Sequence, residues 1–278
     1  QGLYVGYQEK GLAKIGYLDL DGTLTELATN LGSATLGRPY AGGSFSVTHQ
    51  GQFAFSSVTS QRPSQLSVGS HKGREKPKTL TSYNEEFFET TLVGQVEEFW
   101  VSSSVDDFEV HGWIMTPPDF DPSGSYPLIL EIHGGPYSAY GPQFSPELQL
   151  MASQGYVVVY TNPRGSTSYG EEFASYINGN YPSEDYNDLM DAVDYVVDQG
   201  YIDEQRLYIT GGSGGGVLTA WAIGKTDRFS AAVVAKPVIN WYSFVLNADN
   251  VPFFSKYWSQ KNPGKTRISI IAYLQFPW

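Results

Sequence analysis

Along the first 90 residues apolar positions alternate with polar ones in short runs: Leu3–Tyr7, Lys14–Leu20, Leu24–Ala28, Ser44–Thr48, Phe53–Thr59, Gln65–Gly69 and Lys78–Thr81. Period-two alternation predicts strands buried on one face, and Asp21-Gly22 and Gln50-Gly51 supply turns between them. Leu3-Tyr4-Val5 aligns with Phe53-Ala54-Phe55, and Lys14-Ile15-Gly16-Tyr17 with Gln65-Leu66-Ser67-Val68. The offset is about 50 residues, the length that a four-stranded blade needs. One complete blade and the end of another fit. A blade buries its faces only against other blades, so residues 1–90 are expected to be the C-terminal blades of a larger β-propeller.

From Leu92 the pattern changes. Val96–Ser102 and Phe108–Thr116 read as an antiparallel pair ended by Pro117-Pro118, whereas Leu128–Ile132 and Tyr156–Tyr160 are unbroken apolar runs suited to strands buried on both faces. Helices are predicted over Pro146–Gln154, Asp185–Gln199 and Gly214–Ile223, and further strands over Arg206–Thr210 and Ala231–Ala235. In the helix 185–199, Leu189, Val193, Val196 and Val197 share one face, with Asp188, Asp191, Asp194 and Asp198 mostly opposite. That acidic face is expected to be solvated rather than to bind a cation, because its carboxylates are strung along a helix and do not converge from a loop. Strands alternating with helices over 91–278 predict an α/β domain with a parallel sheet.

Charge divides the chain at the same place. Residues 1–90 hold 8 Lys/Arg against 8 Asp/Glu, residues 91–278 hold 9 against 21, and the whole chain carries −12. Such an acidic surface disfavours nucleic-acid partners. Zero cysteines exclude disulfides and thiolate metal sites, and no apolar run is long enough for a membrane span. The start at Gln1-Gly2-Leu3-Tyr4 shows no targeting pattern and reads as internal to a longer protein, which leaves both an exported and a cytoplasmic location open.

The chemistry concentrates at Gly211-Gly212-Ser213-Gly214-Gly215. A G-x-S-x-G match alone is weak, since about one unrelated chain of this length in ten would contain it by composition. Here Leu207–Thr210 enters as a strand and Val217–Trp221 leaves as a helix, the strand–turn–helix setting of a nucleophile elbow. His133-Gly134-Gly135-Pro136 directly follows the strand 128–132, where such folds place an oxyanion loop. Ser213 is therefore the expected nucleophile, with Gly135 and Gly214 as oxyanion donors. The four histidines, His49, His71, His111 and His133, all precede the serine. His133 is expected to shape the oxyanion loop rather than to act as base, because the base of this fold follows the nucleophile; His111 is expected to pack in the core.

His133–Pro136, Asn162-Pro163-Arg164-Gly165-Ser166-Thr167-Ser168-Tyr169-Gly170, the helix 185–199 and Gly211–Gly216 stand in the order and spacing of the prolyl oligopeptidase family of serine peptidases. The chain resembles the acylaminoacyl-peptidase and dipeptidyl-peptidase branch over about Val96 to Trp258. The resemblance implies an incomplete α/β-hydrolase fold preceded by a β-propeller, short or N-terminal peptides as substrates, no cofactor and no metal. It also implies aromatic pocket residues after the strand 231–235, for which Trp241 and Phe244 are the candidates, with ordinary core packing as the alternative; Arg164 is expected to brace its loop through hydrogen bonds to carbonyls rather than to contact substrate. The family's Asp and His should follow the serine by several tens of residues, yet Asp227 and Asp249 are the only later carboxylates and neither stands where the family places its acid. The tail after about residue 259 departs from the family. The expectation is a fragment truncated at both ends and inactive alone, compatible with a homo-oligomeric parent. Two other readings stand beside the peptidase: a carboxylesterase or lipase, which shares the elbow and the His-Gly-Gly loop, and a binding module without catalysis.

Overall fold

A computed structural model describes residues 1–32, 37–73, 76–240, 243–244 and 247–249. Two compact units are distinguished. The first comprises Gln1–Glu98, Trp113–Asp121 and Ala139–Val157, and the second Phe99–Gly112, Pro122–Ser138 and Val158–Trp278.

In the first unit β1 (Gly2–Glu9), β2 (Leu12–Asp19) and β3 (Leu24–Ala28) form a three-stranded antiparallel sheet, and β4 (Phe45–Val47), β5 (Gln52–Ser57), β6 (Gln65–Ser70) and β7 (Lys78–Thr79) form a four-stranded one. The sequence repeat aligns β1 with β5 and β2 with β6, which hold equivalent places counted back from the last strand of each sheet. Lys10 and Gly11 close the β1–β2 hairpin with φ of 49° and 73°. Positive φ at both central residues matches the right-handed twist of paired strands, and this turn carried no Asp-Gly or Asn-Gly signal in the sequence. Ala13, Ile15, Ala28, Leu31, Phe53 and Phe55 form one core cluster, joined by Leu27, Phe45 and Val47. The same unit holds α1 (Glu85–Thr90), whose Phe88 meets Phe144 edge-on, and α2 (Pro146–Ser153). Pro146 opens α2 and the Ser145 hydroxyl caps it by accepting from the Leu148 N–H at 3.3 Å.

The α/β pattern read from residue 92 onward is present as β8 (Gln95–Ser102), β9 (Glu109–Thr116), β10 (Tyr126–Ile132), β11 (Val157–Asn162), α4 (Asp185–Val197), β12 (Ile202–Gly212), α5 (Gly214–Ile223) and β13 (Ala231–Ala235), with the short helix α3 (Glu171–Ser175) added between β11 and α4, where none was expected. The six strands lie in the order β13-β12-β10-β11-β9-β8, and β12 runs parallel to both β10 and β13. Every residue of β11 is buried, as an unbroken apolar run requires of an inner strand. Strands β10 and β12 both end at the loops that carry the motifs, the carboxyl edge where open α/β sheets place their sites.

One expectation fails in α4. Asp188 is fully buried, with Asp185 beside it, so the acidic residues do not form a uniformly solvated face. The apolar stripe Leu189, Ala192, Val193 and Val196 continues toward the helix N-terminus through Asp188 and Asp185, one turn at a time. Helical geometry therefore points those two carboxylates inward, where the buried Arg164 pairs with Asp188 and backbone N–H groups bond Asp185. Asp191 is half-buried and accepts the Ser104 N–H at 2.7 Å, while the exposed Asp194 pairs with Arg228 at 2.5 Å. No helix among the described residues is long and apolar enough to cross a membrane.

Candidate active site

Ser213 sits at the turn between β12 and α5 with φ 59° and ψ −116°. A non-glycine residue in this region is strained by about 1–3 kcal/mol and persists only where its surroundings hold it. Two backbone bonds do so: the Ser213 N–H donates to the Ala235 carbonyl, and the Ser213 carbonyl accepts from the Val217 N–H, both at 3.0 Å. The side chain stays exposed while the residues on either side are buried. The glycines around it answer to close approach. A Cβ on Gly215 would lie 2.1 Å from the Ile132 carbonyl oxygen, and one on Gly214 would lie 2.0 Å from that of Gly135. Only hydrogen fits at either position, so the first turn of α5 lies directly against the loop that leaves β10.

That loop is tied from below by His133. Its Nδ1–H donates to the Gly134 carbonyl at 2.6 Å, which puts the proton of the neutral ring on Nδ1 and leaves Nε2 facing the Ser166 hydroxyl at 2.9 Å. Burial pushes its pKa down to about 4, the bond to Gly134 working the other way. The Ser138 hydroxyl also donates to the Gly134 carbonyl. A second tie joins the loop to the segment after β11: Tyr137 N–H donates to the Gly165 carbonyl at 2.9 Å, and Thr167 N–H to the Ser138 carbonyl at 3.1 Å. Both ring nitrogens of His133 are thus engaged inside the loop structure, as expected of a shaping residue.

Arg164 is buried and braces its loop through carboxylates rather than through carbonyls. Its Nε and Nη2 donate to the two oxygens of Asp188 at 2.9 and 2.7 Å, Nη1 donates to Asp106 at 2.7 Å, and Nη2 reaches the Ser103 hydroxyl at 2.8 Å. The Arg164 N–H donates to Asp188 as well, at 2.8 Å, and the guanidinium lies 4.7 Å from the Tyr176 ring centroid. Planar bidentate pairing of this kind suits arginine and not lysine. Burial raises the Asp188 carboxyl above its ordinary value, and the Arg164 bonds oppose that rise. His111 packs in the core as expected, stacked on Trp100 at 4.0 Å with Nδ1 2.8 Å from the Tyr169 hydroxyl.

His133, Gly135, Arg164, Tyr181, Asp185 and Gly214 line a small cavity of about 10 Å³, at the lower limit of what admits a single water. Asp185 is wholly buried, and its Oδ1 accepts the N–H groups of Ser183 at 2.7 Å and Tyr186 at 3.0 Å. Burial first, then Asp188 against those backbone bonds, brings its pKa up to about 7. The Tyr181 hydroxyl donates to the Gly214 carbonyl at 2.9 Å. Sequence reasoning missed Tyr181, Asp185, Asp188 and Ser166. The helical period of α4 carried a signal for the two aspartates; nothing local marks the tyrosine or the serine.

Of the predicted site residues, Ser213, Gly214 and Gly135 are brought together. Phe244 is half-buried, its N–H donating to the Asn240 carbonyl at 3.0 Å and its carbonyl accepting from Ala248 at 2.8 Å. Trp241, the other pocket candidate, lies outside the described residues. No cluster that could hold a metal ion occurs among the described residues.

A sheet in which β10, β12 and β13 run parallel, with a serine-bearing strand–turn–helix at its carboxyl edge faced by a glycine loop from the adjacent strand, defines an α/β-hydrolase domain. Residues 142–273 match the model of the prolyl oligopeptidase family. The chain is 39% identical over 259 residues to the uncharacterised peptidase YuxL of Bacillus subtilis, covering 92% of this chain and 38% of that protein. It is 31% identical over 160 residues to dipeptidyl-peptidase 5 of Porphyromonas gingivalis, covering 57% and 23%. The structure of Pyrococcus horikoshii acylaminoacyl peptidase superposes with a TM-score of 0.83 at 28% identity, over 98% of this chain and 41% of that one. Residues 142–273 thus belong to the prolyl oligopeptidase family, and the chain as a whole is similar to its members. It spans well under half the length of each of these relatives.

Proposed function

We propose that this chain carries the nucleophile and oxyanion hole of a serine peptidase whose base and acid come from elsewhere in a longer protein. The observation that carries the reading is Ser213 itself: an exposed hydroxyl on a strained backbone, at the N-terminus of α5, one residue from the Gly214–Gly135 contact. Strain held in place by backbone bonds is spent where a side chain must point away from its own strand and helix. Among the described residues neither Gly135 nor Gly214 donates its N–H to a protein acceptor. Two such donors beside a nucleophile stabilise a tetrahedral oxyanion.

In the proposed reaction Ser213 Oγ bonds to the peptide carbonyl carbon as its proton passes to a histidine base, and the carbonyl oxygen takes up negative charge facing Gly135 and Gly214. The C–N bond then breaks, the proton leaves with the amine, and water hydrolyses the acyl-enzyme. No histidine of this chain follows Ser213, and His133 is committed to Gly134 and Ser166. The chain alone is therefore proposed to be inactive. The two antiparallel sheets of residues 1–90 are proposed to be the last blades of a β-propeller, and the relatives' names favour short peptides released from a blocked or free N-terminus, an aminopeptidase-type specificity. The test is hydrolysis of acyl-aminoacyl and dipeptidyl p-nitroanilides by the full-length protein and its Ser213→Ala variant. Activity retained in the variant would sink the assignment of the nucleophile; hydrolysis of carboxylic esters with no turnover of either amide would favour the esterase reading.

A further inference from the structure

Gly214 has no side chain with which to restrain its own dihedrals, yet the direction of its N–H decides whether an oxyanion is met. The peptide bond on its N-terminal side is held by the Ser213 carbonyl, which accepts from Val217 at 3.0 Å. Across a trans peptide the N–H points opposite to the carbonyl, so this bond turns the Gly214 N–H away from the helix. The peptide on the C-terminal side is held by Tyr181, whose hydroxyl donates to the Gly214 carbonyl at 2.9 Å. Tyr181 is 4% exposed and lines the small cavity together with both proposed donors, Gly135 and Gly214. The gap at Gly214 is so narrow that a Cβ would lie 2.0 Å from the Gly135 carbonyl oxygen, so a small rotation of the glycine would move both sides of the hole at once.

We propose that Tyr181 is a positioning residue for the oxyanion hole, anchoring the Gly214 carbonyl from behind so that the Gly214 N–H is aimed before substrate arrives. This rests on the reading of Ser213 and Gly214 given above. Burial, with Asp185 adding to it, raises the Tyr181 hydroxyl well above its ordinary pKa, so the group stays protonated and available as a donor at any working pH. An oriented donor stabilises the transition state more than the ground state, and its loss appears in kcat before KM.

Tyr181→Phe removes the hydroxyl and little else. In the full-length protein it is expected to lower kcat about tenfold with KM within about twofold, less than the loss of an oxyanion donor itself. A peptide boronic acid, whose tetrahedral adduct places an oxygen in the oxyanion site, should weaken by a similar factor, while a non-covalent peptide inhibitor should bind as before. Rates taken per site titrated with a fluorophosphonate keep any misfolded fraction out of the comparison. Unchanged kcat and boronate affinity would overturn the positioning role and leave the roles of Ser213 and Gly214 standing. Equal weakening of both inhibitors would also overturn it, reducing Tyr181 to a packing residue. Full activity in Ser213→Ala would instead remove the underlying reading.

Discussion

At Gly214 and Asp185 single atoms decide what the site tolerates. A methyl group at 214 would stand 2.0 Å from a backbone oxygen that no side-chain rotation can move. Gly214→Ala is therefore expected to displace the 133–138 loop and lower kcat of the full-length protein by about 10²-fold or more, the scale of losing an oxyanion donor; steady-state kinetics check it. Asp185 and His133 give opposite pH dependences to stability. Between the ordinary carboxyl value of 3.8 and about 7 the folded chain keeps a proton on Asp185 that the unfolded chain releases, so this contribution declines as pH rises through that window. Between 6.5 and about 4 the unfolded chain takes up a proton that buried His133 refuses, so that contribution is lost as pH falls. Asp185→Asn keeps an oxygen for the Ser183 and Tyr186 N–H groups and removes the first dependence. It should be at least as stable as wild type at pH 8 and should lose stability more steeply below pH 6.5; urea midpoints across that range decide it. Ser213, Gly135 and Gly214 were legible because their neighbours in sequence are also their structural context. Tyr181 was not, since its partner is 33 residues away and a single Tyr in an irregular segment has no pattern.

Among the elements, α4 gives the clearest lesson. Its apolar stripe was visible as a 3.6-residue period, but assigning all its aspartates to the outer face ignored that Asp185 and Asp188 continue the stripe. Burial of Asp188 is compensated by Arg164, a cation supplied by the loop after β11, whereas Asp185 is held by two backbone N–H groups and stays largely protonated below about pH 7; residue type alone reveals none of these partners. Arg164→Ala leaves Asp188 buried and unpaired, which is expected to cost about 3–5 kcal/mol of stability. Arg164→Lys should recover only part, because one ammonium cannot reproduce the two-pronged contact with Asp188 while reaching Asp106. Thermal unfolding of the two variants tests the ordering. In the first hairpin, Gly11 has φ 73° and a Cβ there would approach the Trp113 ring to 2.7 Å. Gly11→Ala should destabilise by about 1–3 kcal/mol through both strain and overpacking, measurable as a lowered urea midpoint with unchanged slope.

At the scale of the whole molecule the proposed reading turns on the base, since no histidine of this chain follows Ser213. Removing the histidine of a serine protease costs several orders of magnitude, about 10⁶ in turnover in subtilisin. This chain alone should thus label with a fluorophosphonate far more slowly than the full-length protein, and gel fluorescence at matched concentrations would show it; equal rates would mean that another residue activates Ser213. The sequence by itself determined the order of strands and helices after residue 92 apart from the short α3, the elbow at Ser213 and the loop at Gly135, because periodicity and glycine spacing are local consequences of backbone sterics. It also exposed the repeat that aligns β1 with β5. The tertiary structure alone decided that Arg164 is braced by two carboxylates, that Asp185 and Asp188 are buried, and that the Tyr181 hydroxyl bonds the Gly214 carbonyl. Those contacts join residues tens of positions apart, and burial energies depend on which groups the fold brings together, which no local pattern records.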